Sequence, residues 1–154
     1  MTNKNEYASR PDLLPTFMEN SKDDDGRQVV KLTLAESREL EALSLNRFPS
    51  TFSAALDWES ASYDDRIWWD DEEGWVRMAS DLLSPFAERG AHVVIFWGNL
   101  VLPTVTIPAE SAIRHAREIL DAGGPHFWIY PLGSPILIEC LMDGEVTIAT
   151  IPAA

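Results

Sequence analysis

The chain has 154 residues, enough for one domain with its own hydrophobic core, and 45% of them are hydrophobic, as in ordinary globular proteins. Its 25 acidic side chains outnumber the 12 basic ones, which gives a formal net charge of -13. A charge of this sign repels nucleic acid and anionic lipid headgroups and attracts cationic proteins. The composition therefore argues against direct binding of nucleic acid and favours a basic protein as partner.

The cellular location follows from the lack of targeting signals. The first twenty residues lack the basic start and apolar stretch of a secretory signal, and no apolar run approaches the roughly 20 residues of a membrane span. The single cysteine, Cys140, lies in the apolar run 136–142 and has no partner for an intramolecular disulfide. We expect a cytoplasmic protein that does not enter the membrane, with Cys140 as a small buried hydrophobe.

The N-terminal part combines a polar segment with a helix start. Residues 1–28 are polar, carry two prolines and end in the turn-like run 21–26, so we expect a loosely attached arm on a single domain of residues 1–154. Thr33 and Glu36 have the spacing of a capping box, which predicts a helix from about 34 to 45.

A second helix is predicted from about 72 to 89. Carboxylates in its first turn complement the positive end of the helix dipole, and Gly90 supplies a stop. Apolar residues recur at helical spacing and predict a buried stripe. These residues are Trp75, Ala79, Leu82, Leu83 and Phe86.

A hairpin is predicted next, with strands at 92–97 and 100–107 joined by Gly98-Asn99, and with Pro103 marking an edge or a bulge. Pro108 then suits the first position of a single helix that ends at Gly123-Gly124.

Three further strands are predicted at 126–130, 136–142 and 145–151, the last two joined by Asp143-Gly144. The order is ααββαβββ. Two hairpins with one crossover helix predict an α+β fold, in which a mainly antiparallel sheet of about five strands carries helices packed on one face.

The segment from Asp57 to Glu73 holds eight carboxylates and four large aromatic side chains against one cation, Arg66. Clustered like charges repel, and exposed aromatics risk aggregation, so a binding surface explains the segment better than folding needs do. The predicted partner-binding residues are Asp57, Trp58, Glu59, Tyr63, Asp64, Asp65, Trp68, Trp69, Asp70, Asp71, Glu72 and Glu73.

The tryptophans divide into two groups. Trp75, Trp97 and Trp128 lie on predicted helix or strand faces and are expected in the core. Trp68 and Trp69 are adjacent and cannot both point into one core, so at least one is expected to be partly exposed.

Catalytic and metal sites are not predicted. A calcium loop with Gly26 at its sixth position would begin at Ser21 and end at Leu32, which fails at both ends. The three histidines are too far apart in sequence for a recognisable metal motif. A pair of Cys140 and His126 is conceivable as a nucleophile and base, but no sequence feature positions the base. We therefore predict no catalytic residue, no metal and no cofactor.

In size, acidity and α+β pattern the whole chain resembles the cognate immunity proteins of contact-dependent or type VI bacterial toxins. The resemblance is compositional and assigns no role to any residue. It implies a binding protein rather than an enzyme, a monomer or homodimer that blocks the active site of a basic toxin or effector. The first alternative is a secretion chaperone or adaptor, which would hold an effector segment in apolar grooves. A small enzyme ranks last, because it would need a concave pocket with perturbed titratable groups.

Overall fold

A computed structural model describes residues 6–50, 55–124 and 126–153. Their seven strands form one sheet in the order β1-β4-β3-β5-β6-β7-β2, and every pairing is antiparallel. The strands are β1 (Val30–Lys31), β2 (Asp65–Trp68), β3 (His92–Trp97), β4 (Val105–Pro108), β5 (His126–Pro131), β6 (Ile136–Leu141) and β7 (Glu145–Thr150). The α+β class and the antiparallel sheet agree with the sequence prediction.

The number of strands and the order of the elements differ from the prediction. The sequence predicts about five strands, and the two additional strands, β1 and β2, are the two ends of the sheet. Both are short and neither has an alternating apolar pattern. They are strands because β4 and β7 offer them backbone partners, which is a tertiary effect.

Four helices lie among the described residues, α1 (Leu34–Leu43), α2 (Glu72–Glu88), α3 (Ala109–Arg114) and α4 (Ala116–Ala122). The predicted capping box starts α1, since the Thr33 hydroxyl accepts from the Glu36 backbone N–H and the Glu36 carboxylate accepts from that of Thr33. Among the described residues, no helix is both long and apolar enough to cross a membrane.

The prediction of a single helix after Pro108 is wrong in one respect. The helical segment is divided into α3 and α4 at His115. His115 leaves the helical region at φ -109° and ψ 29°. Its ring stacks on Phe17 of the N-terminal segment, with 3.9 Å between the ring centroids. Periodicity along the helix does not reveal such a contact.

The connection between β3 and β4 is also longer than predicted. Residues 98–104 separate the two strands, where the sequence predicts a two-residue turn. Leu100 and Val101 accept backbone hydrogen bonds from Ala8 and Arg10 of the N-terminal segment, and they do not extend β4. The N-terminal segment thus supplies the donors for these backbone groups.

Pro103 lies in this connection, before β4 begins. The predicted strand 100–107 is not an edge, because β4 lies between β1 and β3. Since Pro103 is outside the strand, its missing N–H costs no ladder hydrogen bond.

One face of the sheet packs against three helices. Val93, Ile95 and Phe127 of the strands form one cluster with Trp75 of α2 and Ile119 of α4. Trp75 is 1% exposed and its Nε1 donates to the Ala116 carbonyl oxygen at 2.8 Å. We call this side of the sheet the first face. The burial of α2 side chains against it confirms the predicted apolar stripe of that helix.

The opposite, second face is covered by α1 and by the chain that follows it. Phe96 and Trp128 of the strands form a second cluster with Phe48 and Leu56, against which Leu40 of α1 packs. Helices therefore lie on both faces, which corrects the prediction of helices on one face only. The predicted core tryptophans Trp75, Trp97 and Trp128 are all buried.

The described part of the N-terminal segment, from residue 6 onward, contributes to the core. Phe17 and Met18 are buried in the first-face cluster. The Tyr7 hydroxyl donates to the Leu32 carbonyl oxygen and accepts from the Thr104 backbone N–H. This packing is tighter than the loose attachment that the polar composition of residues 1–28 predicts, because a few apolar side chains suffice to anchor a polar segment.

Candidate partner-binding surface

The predicted surface residues occupy three consecutive pieces of structure. They lie in the loop before β2, in β2 at the edge of the sheet, and in the short connection to α2 together with the first turn of that helix. Nine of the twelve are exposed, and Asp57, Trp58 and Trp69 are half-buried. The segment is therefore mostly at the surface, but the structure gives its members different surroundings.

The aromatic side chains on the second face form a connected row. Trp58 contacts Phe48 edge to face at 5.3 Å between centroids and Tyr63 at 6.0 Å. The Arg66 guanidinium lies 4.2 Å from the centre of the Tyr63 ring. Such contacts hold the rings in place before any partner arrives.

The row is anchored by a buried glutamate that sequence reasoning missed. Glu139 of β6 is 1% exposed, and its carboxyl group accepts three hydrogen bonds. The donors are the Leu56 backbone N–H at 2.8 Å, Trp58 Nε1 at 2.8 Å and Trp128 Nε1 at 2.9 Å. The available signal was a single acidic residue in the apolar run 136–142. A charge there requires several buried partners.

Among the described residues Trp68 is the most exposed of the large hydrophobic side chains, at 60%, and Tyr63 is 42% exposed. This confirms that at least one of Trp68 and Trp69 is exposed. Trp69 points to the first face instead, where its ring lies 6.4 Å from that of Trp75. Its Nε1 is buried without a hydrogen-bond partner in the described residues.

Several carboxylates of the segment hold its own structure. Asp57 accepts from the Ser60 hydroxyl, and Asp64 accepts from the Thr150 hydroxyl at 2.7 Å. Asp71 is the N-cap of α2 and accepts from the Gly74 backbone N–H at 2.7 Å. Local folding thus explains part of the acidic cluster.

One cation neutralises other members of the cluster, and the cation within the segment pairs with a carboxylate outside it. Arg117 of α4 forms an ion pair of 2.7 Å with Glu73 and lies 3.7 Å from Glu72. Arg66 pairs with Glu145 of β7 at 2.9 Å. Glu73 raises the pKa of Arg117 by accepting its hydrogen bond. The first turn of α2 is therefore less anionic than its sequence indicates.

The remaining carboxylates, those of Glu59, Asp65 and Asp70, are exposed and form no ion pair with a described residue. Asp65 accepts only from the backbone N–H of Arg66 at 2.9 Å. Together with Trp68 and Tyr63 they make up what we call the edge patch, which spans both sides of the sheet edge, since Asp65 lies beside Ile148 on the first face and Trp68 beside Glu145 on the second. These five side chains are the part of the predicted surface that remains available to a partner.

The conceivable pair of Cys140 and His126 does not form. Cys140 is buried in the first-face cluster, whereas His126 packs edge to face against Trp128 on the second face, at 4.9 Å between centroids. Burial raises the pKa of the Cys140 thiol well above its usual range, and the Glu139 carboxylate raises it further. Burial lowers the pKa of His126, which Glu139 partly offsets. The thiol is inaccessible and lacks a base.

Comparisons with other proteins add no functional information. The chain matches no known protein family. It also shows no significant similarity to a curated protein.

Proposed function

We propose that this protein neutralises a basic partner protein, most simply as the immunity protein or inhibitor of a toxin, by covering the partner's active site with the edge patch. The observation that carries the proposal is the exposure of Trp68, at 60%, on an edge strand within a segment that holds three exposed carboxylates without a cationic partner in the described residues. A large exposed aromatic side chain is disfavoured in a free protein and is typical of a binding hot spot.

The unpaired charges of the edge patch indicate the kind of partner. Carboxylates at a rim steer a cationic surface into contact and imitate the phosphates that a nuclease or other basic enzyme binds. The aromatic row behind the edge patch is already ordered by Glu139 and Arg66, so little side-chain freedom is lost on binding.

The test compares two variants of equal charge change in co-purification from the native host. The first changes Glu59, Asp65 and Asp70 to lysine, which leaves the capping Asp71 and the bonded Asp64 intact. The control changes Glu39, Asp81 and Glu88 to lysine, and these three residues are exposed on α1 and α2.

We expect a basic protein to be captured by the wild type and by the control, with at least tenfold weaker binding by the edge-patch variant, about 1.4 kcal/mol. Trp68→Ala should weaken the same complex. Equal capture by both lysine variants would show that the interface lies elsewhere. A partner that is held more tightly as salt rises would instead indicate the chaperone alternative, because hydrophobic burial is not screened.

A further inference from the structure

We propose that Asp23, Asp25 and His115 bind a divalent transition-metal ion, at a site distinct from the edge patch. One carboxylate oxygen of each aspartate and one ring nitrogen of His115 all lie within 4.8 Å of one another. The aspartates belong to the turn before β1 and the histidine to the junction of α3 and α4. Only the tertiary structure brings them together.

The strongest indication is the histidine. His115 is 8% exposed, and its Nε2 atom is buried without a hydrogen-bond partner among the described residues. Buried polar atoms are almost always satisfied, so this nitrogen requires an explanation. The stacked Phe17 ring holds the plane of the imidazole.

The other ring nitrogen has the environment of a metal-binding histidine. Nδ1 lies 3.6 Å from the Glu118 carboxylate, too far for a direct hydrogen bond. In the tautomer whose Nδ1 proton faces Glu118, the Nε2 lone pair is free to bind a metal ion. Histidines that bind metals commonly present their second nitrogen to a carboxylate in this way.

A purely structural role explains the cluster less well. If His115 were protonated and paired with an aspartate, a direct contact would be expected, but no hydrogen bond or ion pair joins it to Asp23 or Asp25. The donors that satisfy the two aspartates are backbone N–H groups, the Ser111 hydroxyl and the Arg27 and Arg114 guanidinium groups, and none of them bonds to Nε2 of His115. A metal ion between the three side chains would give this nitrogen a partner.

Both aspartates are held in place and retain coordination capacity. Asp23 is buried and accepts from two backbone N–H groups, of Asp25 and Arg27, and from the Ser111 hydroxyl. A carboxylate has about four lone-pair sites, so one remains. The Oδ2 atom of Asp25 pairs with Arg27 and Arg114, each at 2.9 Å, while Oδ1 has no described donor.

The donor set indicates the class of ion. One imidazole and two carboxylates suit Zn²⁺, Co²⁺ or Mn²⁺, with water in the remaining positions, whereas Ca²⁺ prefers six to eight oxygen ligands. The two arginines beside Asp25 reduce the attraction for a cation. We therefore expect a dissociation constant on the order of micromolar, not nanomolar.

The test uses Co²⁺ as the probe, because its visible absorption reports the ligand set. Chelator-treated protein is titrated with Co²⁺ by calorimetry and absorption, and Zn²⁺ is then added as competitor. We expect one saturable Co²⁺ per chain and displacement by Zn²⁺. Asp25→Asn and His115→Gln should each weaken binding at least about tenfold.

Matched controls are Asp24→Asn, an exposed neighbour outside the cluster, and His92→Gln. Both should bind Co²⁺ as the wild type does. No saturable binding up to about 1 mM would overturn the proposal, and so would wild-type affinity in Asp25→Asn. Because Asp25 is exposed, that variant is expected to fold even where His115→Gln does not, and circular dichroism checks this.

Discussion

Glu139 connects the centre of the sheet with the loop that carries the edge patch. Its two oxygen atoms accept from three donors, and both Trp58 and Trp128 direct their indole N–H groups at it. A carboxyl group can accept all three bonds, whereas an amide has one oxygen and a donor in place of the second. The three hydrogen bonds thus require the carboxyl group of a glutamate, and a glutamine of the same size could not accept all of them.

We expect Glu139→Gln to lower the free energy of unfolding by about 1–3 kcal/mol, because the new amide NH₂ faces a donor. Trp58→Phe removes that donor, so the double variant should lose less stability than the two single variants together. Urea unfolding followed by circular dichroism measures all three. Strictly additive losses would contradict the role given to the Trp58 contact.

Cys140 is predicted to be dispensable for function. Its thiol is buried, and its pKa is raised, so it should not react with a thiol reagent in the native protein and should react fully after unfolding. Cys140→Ala should reduce stability and leave partner binding unchanged. Loss of binding in a variant with an unchanged circular dichroism spectrum would contradict this.

At the scale of elements, α2 shows why an acidic cluster has two explanations. Asp71 caps the helix, Glu72 and Glu73 lie in its first turn, and Arg117 pairs with both glutamates. Directly before α2, β2 presents Trp68 and Asp65 at the sheet edge. Residues that stabilise the fold and residues without such contacts are therefore interspersed along the segment, since Asp57 and Asp64 before β2 also hold local structure.

Asp71→Ala should cost about 1 kcal/mol of stability, since the Gly74 N–H loses its acceptor at the helix start. Asp71→Asn should cost less, because an asparagine also caps. Asp81→Ala, an exposed change within α2, serves as control and should fall within about 0.5 kcal/mol of the wild type. Chemical unfolding measures the stability of each variant. Equal stability of the two alanine variants would contradict a capping role for Asp71.

At the scale of the whole molecule, a net charge of -13 acts beyond any single contact. A charge of this sign attracts cationic molecules before the surfaces meet, and salt screens this attraction over about 8–10 Å. The aromatic contacts of a formed complex are not screened to the same degree.

Association with the captured partner should therefore slow steeply as ionic strength rises, while dissociation changes little. Stopped-flow mixing at low and high salt measures both rates. The Glu59, Asp65 and Asp70 lysine variant should show a shallower salt dependence than its Glu39, Asp81 and Glu88 control. An association rate independent of salt would rule out electrostatic steering.

The sequence by itself determined the α+β class, the capping box of α1, the extent of α2 and the core positions of three tryptophans. It also predicted the exposure of at least one of Trp68 and Trp69. These features depend on neighbours within about four residues or on simple alternation, so a local pattern contains the necessary information.

Only the tertiary structure decided the edge strands, the division between α3 and α4, and the surroundings of Glu139 and His115. It also separated Trp68 from Trp69, sending one to solvent and the other against Trp75. The partners of these residues are distant in sequence. Because burial and hydrogen bonding depend on which distant segments meet, no local pattern could assign them.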